Sequence, residues 1–260
     1  MNDTHIITSI FVEIDDLIKS IEIDPKPGPE GKLSDSEILT LMIIHPILKP
    51  FSKLKIFYRW INWNCKEMFP DMPDYTRIKR LFDKYKELII VIMKKLANPN
   101  SFGLVADGTC LSVMETIRGK FAKSFRDARF VKCASKREWH YGFILEALID
   151  QDGNIAFANV GTEAEIKQLE NILEDLQDKW ILGDAGNRGK NIHERLWVDK
   201  QIKVKITGGK ERQWIENVFG FLKEKLGLNK IRVRTTESFL ARVFSILCAY
   251  NLIQKLNLPI

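Results

Sequence analysis

The hydrophobic period of this chain changes near residue 98, and that switch constrains the fold more than any other feature. Before it, Ile78, Leu81, Phe82, Tyr85, Leu88, Ile89 and Ile92 recur at helical spacing. After it come short apolar runs, Phe102–Ala106 and Trp180–Gly183, and strict alternation in Gln201–Ile206, the marks of strands. Asn98-Pro-Asn-Ser101 lies at the switch and reads as a boundary. Two domains are expected, an all-helical one over 1–100 and an α/β one over 101–260.

Within the first, Ser34-Asp-Ser-Glu37 fits a capping box opening a helix through about Leu48. A second helix is expected through Lys53–Ile61, and a third, marked at its start by Pro73-Asp74, through Ile92. The third carries Arg77, Lys79, Arg80 and Lys84 opposite its apolar side. Such a face is either an ordinary wet surface or one lying on DNA.

In the second domain, Tyr141–Asp150 and Asn154–Val160 read as strands around the hairpin signal Asp150-Gln-Asp-Gly153. A helix is expected over Glu163–Leu176, and two more over about Glu211–Leu226 and Glu237–Leu256, the last apolar on most sides. Strands and helices in this order suit a mixed five-stranded sheet flanked by helices. The composition, 45% hydrophobic and 28% charged, is globular. Apolar stretches such as Leu88–Met93 are too short to cross a bilayer, and no membrane role is expected. Four cysteines without a Cys-x-x-Cys pair fit buried thiols in a reducing cytoplasm.

Charge is concentrated. Arg118, Lys120, Lys123, Arg126, Arg129, Lys132, Lys136 and Arg137 face only Asp127 and Glu138 over one stretch, an excess equal to the +6 of the whole chain. With Phe121, Phe125, Phe130, Trp139 and Tyr141 interleaved, this loop-like segment favours a polyanion, nucleic acid being the commonest.

Three acids stand out: Asp107 and Asp184, each ending an apolar run, and Glu216 on a helix that also carries Arg212 and Lys223. Each has a plainer reading. Asp107-Gly108 is a hairpin-turn signal, Asp184-Ala-Gly186 could equally turn or cap, and Glu216 one turn after Arg212 suits a surface ion pair. Together they are the kind of acid set, distant in sequence, that gathers to hold divalent ions for phosphoryl transfer. Gly183–Lys190 is no phosphate loop, because Asp184 stands where its first glycine is required and Asn191 where Ser/Thr would bind magnesium. Four histidines without paired spacing argue against zinc.

These motifs resemble those of DDE-type transposases of prokaryotic insertion sequences, which share the RNase H-like fold with retroviral integrases. The resemblance rests on Lys136–Phe143 leading to Asp152-Gly153 and Val160-Gly-Thr162, on Leu182–Gly186, and on Arg212–Lys223 followed by Arg232-Val-Arg234 and Leu247–Leu252. The family's Tyr-x2-Arg-x3-Glu-x6-Lys signature is met by Arg212, Glu216 and Lys223, with Gly209 at the tyrosine position. Gly108–Ser112 replaces the Ser-x-Pro-Val-like sequence common after the first aspartate. The resemblance implies an RNase H-like sheet and catalysis by Asp107, Asp184 and Glu216, assisted by Arg212 and Lys223. It also implies two Mg²⁺ or Mn²⁺ ions, with Asp107 bridging, and a homodimer acting on double-stranded DNA in the cytoplasm. Arg77, Lys79, Arg80, Lys84, Lys123, Arg126, Lys136 and Arg137 are the expected DNA contacts. A DNA-binding remnant without chemistry, a nuclease without strand transfer, and a small-molecule α/β enzyme stay open as alternatives.

Overall fold

The computed structural model describes residues 2–21, 31–98, 101–133, 138–184, 187–207 and 210–259, leaving aside the side chains of 133 and 210–212. The chain divides into two units, Met1–Leu96 with Lys225–Ile260, and Ala97–Glu224. The expected division at residue 100 therefore needs correction at the other end of the chain: the last thirty-six residues belong with the helices, not with the sheet. Packing explains this. The C-terminal helix is apolar on most sides and must be buried, and the first helices supply the cover.

The helical unit contains α1 (Asp3–Lys19), α2 (Asp35–Leu48), α3 (Leu54–Asn64), α4 (Tyr75–Lys84), α5 (Lys86–Leu96) and α10 (Thr236–Leu256). The capping box at Ser34 and Glu37 forms with both of its bonds, and α2 starts there. The helix expected from Pro73 to Ile92 is instead two, α4 and α5, separated at Tyr85. Asp74 caps the first by accepting from the backbone of Thr76 and Arg77. The Tyr85 hydroxyl donates to Asp35, which ties the break to the start of α2. In the interior, α10 packs on α5 and α2, and the Asn251 amide donates to the Met93 carbonyl at 3.2 Å. By length and composition α10 could cross a membrane, against expectation, but 78% of that window is buried within the protein, as in a core helix.

The sheet unit begins with β1 (Gly103–Met114), then α6 (Thr116–Gly119), β2 (Arg129–Cys133), β3 (Glu138–Ile149) and β4 (Ile155–Gly161). It continues with α7 (Glu165–Ile172), β5 (Trp180–Gly183), α8 (Lys190–Lys200), β6 (Lys203–Ile206) and α9 (Lys210–Glu224). The sheet among the described residues is mixed and six-stranded, ordered β2-β3-β1-β5-β6 with β4 also on β3. The strand not expected is β2, which lies inside the basic segment read as a loop and pairs with residues 138–142 of β3. Its residues mix charge with apolar surface, Val131 buried between exposed Phe130 and Lys132, which suits a half-exposed edge strand.

Side chains alternate across the sheet. One face sends Leu104, Ala106, Leu148 and Ile181 into a core with Leu169 and Leu173 near α7 and Leu196 of α8. Residues 105, 107, 109 and 111 of β1 point to the other face, and α9 packs on β1. At the β3–β4 hairpin, Asp150 accepts from the backbone of Asp152, Asn154 and Asn98 at 2.9 Å each. Gly153 takes the left-handed φ of 83° that the turn requires.

Candidate active site

Asp107 lies in the middle of β1, not at a strand end, and Asp107-Gly108 makes no hairpin turn. Residues Val105 to Thr109 pair antiparallel with Ile149 to Leu145 of β3. The local turn preference yields to pairing along a strand buried on both faces. On its other edge β1 pairs in parallel with β5, Val105 opposite Leu182. Continued two residues further, that register brings Asp107, within β1, level with Asp184, the residue that follows β5. Adjacent strands are about 4.8 Å apart, a spacing that one divalent cation can bridge between two carboxylates. Asp107 is 7% exposed and Asp184 half-buried.

The same face receives α9. Its stripe Ile215, Val218, Phe219 and Leu222 is buried, as the helical period requires. Lys223 Nζ donates to Thr109 Oγ1 at 2.6 Å, and Thr109 shares the face of Asp107. Toward the start of the helix, Trp214 covers the β3–β4 turn, where a Cβ on Gly153 would come 3.2 Å from the indole nitrogen. Glu216 lies on α9 between these two anchors. It is exposed, and seven residues, close to two turns, separate it from Lys223. Arg212 is in the first turn of α9, with its side chain outside the described residues. Among the described residues, no three Asp, Glu, His or Cys side chains stand close enough together to hold one metal ion.

Two further acids lie behind the pair. Glu146 pairs with Gly108 across β1 and β3, which puts it on the face opposite Asp107. It is 0% exposed, and neither carboxylate oxygen has a hydrogen-bond partner. Burial, then the charge of Glu165 on α7, push its pKa up to about 9, with smaller contributions from Asp107 and Asp184. The carboxamide of Asn187, also buried, moderates that rise without reaching hydrogen-bond geometry, and both its polar atoms lack partners. Gly108 leaves the room for this arrangement: a Cβ there would meet Glu165 Oε1 at 2.7 Å and Glu146 Oε2 at 2.8 Å.

Glu146 and Glu165 were not among the expected site residues. One signal for Glu146 is in the sequence. It is the lone charge in the otherwise apolar run Phe143–Ile149, and a run buried on both faces must bury its acid too. Glu165 carries no such mark.

The donor chemistry fits a hard divalent cation. Asp107 and Asp184 offer carboxylate oxygens of the kind Mg²⁺ and Mn²⁺ prefer. The orphaned Glu146 carboxylate adds negative potential from behind when ionised, and a cation would relieve the repulsion among these acids.

Of the expected DNA contacts, Arg77, Arg80 and Lys84 are exposed on α4. Lys79 is half-buried and paired with Asp83 at 3.2 Å, four residues on. Lys123 and Arg126 are exposed. Lys136 and Arg137 lie outside the described residues.

No family model matches the sequence, and no curated protein matches it. Among solved structures, the chain is similar to one described as a piggyBac transposase synaptic complex with hairpin DNA, determined by cryo-electron microscopy. Identity is 10%, the TM-score is 0.38, and the match covers 80% of this chain and 49% of the other. The chain thus spans about half the length of that neighbour. A likeness this distant carries no argument for fold or activity.

Proposed function

We propose that the chain is a metal-dependent polynucleotidyl transferase of the DDE type, a transposase that cleaves DNA strands and joins the cut end to a second DNA. The observation that carries this reading is the parallel pairing of β1 with β5, with Asp107 in the first strand and Asp184 just past the second, beside a helix whose Lys223 bonds Thr109 of β1. Two Mg²⁺ or Mn²⁺ ions, held by Asp107, Asp184 and Glu216, would activate the attacking oxygen and stabilise the leaving one. The residues themselves do the positioning. Buried Asp107 is fixed by its strand on both edges. Lys223, anchored through Thr109, holds a phosphate oxygen of the strand beside the pair. Arg212 assists from the first turn of α9. Gly108 leaves room for the back-face acids Glu146 and Glu165, and a cation at the pair would favour ionisation of Glu146.

The exposed cations Arg77, Arg80, Lys84, Lys123 and Arg126, together with Lys79, Lys136 and Arg137, are the proposed contacts to double-stranded DNA. Synapsis of two element ends would require a homodimer. An RNase H-like sheet, a prokaryotic insertion sequence and a cytoplasmic, nucleoid-associated location complete the proposal.

The test is nicking of supercoiled plasmid with Mn²⁺ or Mg²⁺. The wild-type chain nicks, and Asp107→Asn or Asp184→Asn lowers the rate by about 10³ or more while DNA binding persists. Retained nicking in Asp184→Asn would sink the assignment. Joining of the nicked end to a second DNA separates a transposase from a plain nuclease. One observation favours a second reading, a DNA-binding remnant without chemistry: no three described acids converge on one ion. Binding without any metal-dependent nicking supports that reading instead.

A further inference from the structure

A cavity of about 670 Å³ opens inside the helical unit, walled by α2, the start of α3, α4, the segment Lys230–Arg234 and the first half of α10. That volume is in the range of small-molecule sites. Its lining is cationic: Lys53, Lys55, Lys79, Lys230, Arg232, Arg234 and Arg242 surround it, and Asp83 is the one acid among the lining residues. Asp83 is committed, accepting from Lys79 at 3.2 Å and from the Ser238 hydroxyl at 2.7 Å. The other six cations make no ion pair among the described residues.

Arg242 is the most telling. Its Nη2 donates to the Pro50 carbonyl at 3.0 Å, while its Nη1 is sealed from solvent and has no hydrogen-bond partner. Burial lowers this guanidinium to about 9, far for an arginine. Its charge also helps hold buried His45 neutral, after burial itself. A desolvated cation with a spare donor and no counterion costs stability unless an anion completes it. Beside the cations, Met42, Leu54, Phe82, Ile231 and Val233 give the cavity an apolar wall.

We propose that this cavity binds a phosphate group carried by a nucleotide unit, with the phosphate held by the exposed Arg232 and Arg234, the buried charge of Arg242 behind it, and the base against the apolar wall. Arginine suits this role because its planar fork engages two phosphate oxygens at once. The ligand is either a free nucleotide or the end of a nucleic-acid strand, and the two share this chemistry. The inference is independent of the acid pair on the sheet, since none of its residues belongs to that unit.

Calorimetric titration of the full chain tests it with four probes: inorganic phosphate, adenosine monophosphate, a 5′-phosphorylated trinucleotide and the same trinucleotide with a 5′-hydroxyl. The expected result is that a 5′-phosphorylated probe binds at least ten times more tightly than the 5′-hydroxyl one. Arg242→Gln should weaken binding tenfold or more. Arg232→Gln with Arg234→Gln, both exposed and without risk to folding, should weaken it several-fold. Equal affinity for adenosine monophosphate and the phosphorylated trinucleotide assigns a free nucleotide; a preference for the trinucleotide assigns a strand end. Equal binding with and without the 5′-phosphate, no binding of any probe at millimolar concentration, or binding untouched by the rim variants overturns the proposal.

Discussion

The two units bury polar groups of opposite kind, basic in one and acidic in the other. The helical unit holds a sealed guanidinium nitrogen, Arg242 Nη1, and a buried imidazole, His45. The sheet unit holds two buried carboxylates beside each other on opposite faces of one sheet, Asp107 and Glu146. Arg242 Nη1 and both carboxyl oxygens of Glu146 are buried without a hydrogen-bond partner, and a desolvated polar group left so costs free energy. Such groups are retained where a partner of the opposite sign completes them. On the reading proposed above, the sheet unit takes a cation and the helical unit an anion.

The sharpest break of this comparison is by pH. Glu146 sits at about 9 in the folded chain against roughly 4.3 for a free glutamate. The unfolded chain therefore releases a proton that the folded one keeps. Stability from this group is complete below the unfolded value and is lost as pH rises toward 9. The slope approaches about 1.4 kcal/mol per pH unit between those values. Glu146→Gln removes the titration. In denaturant unfolding without divalent metal, the variant should gain on the wild type steadily from pH 5 to pH 8. A constant difference across that range contradicts the assignment of an uncompensated acid.

His45 runs the other way. Its ring stacks on Phe57 at 4.4 Å between centroids, Nε2 lies 3.2 Å from the Ser52 hydroxyl, and burial with the charge of Arg242 hold its pKa well below the usual range. The unfolded histidine takes up a proton near 6.5 and the folded one does not. Its contribution is present above that value and lost as pH falls below it. His45→Gln should therefore lose less stability than the wild type between pH 7 and pH 5, by about 1 kcal/mol or more. Parallel curves for the two proteins would show that His45 charges freely.

The smallest effect is expected far from either buried charge. Ser34→Ala removes one arm of the capping box and should cost about 1 kcal/mol, with no change in pH dependence. A change there would mean that α2, which also carries His45, couples its end to the cavity.

What was legible in the sequence followed from local rules. The capping box at Ser34, the hairpin at Asp150–Gly153 and the buried stripe of α9 depend on residues a few positions apart, and each forms as its pattern requires. The errors came where distant contacts decide. Asp107-Gly108 carries a strong turn signal, yet pairing to β3 and β5 keeps it extended. The break at Tyr85 leaves the apolar period of α4 and α5 nearly continuous, so periodicity alone runs through it. The strand β2 was hidden by the charge of its segment. The parallel register of β1 with β5, strands some eighty residues apart, is something no local pattern encodes. Glu146 and Glu165 became visible once that register was known.

The central claim is that Asp107 and Asp184 share a divalent cation, and anomalous diffraction from crystals soaked in Mn²⁺ tests it most directly. The account predicts a manganese peak ligated by both carboxylates, with Glu216 on the same side, and loss of that peak in Asp184→Asn. No peak between the two aspartates, or manganese only at Glu146 and Glu165 on the opposite face, would contradict it.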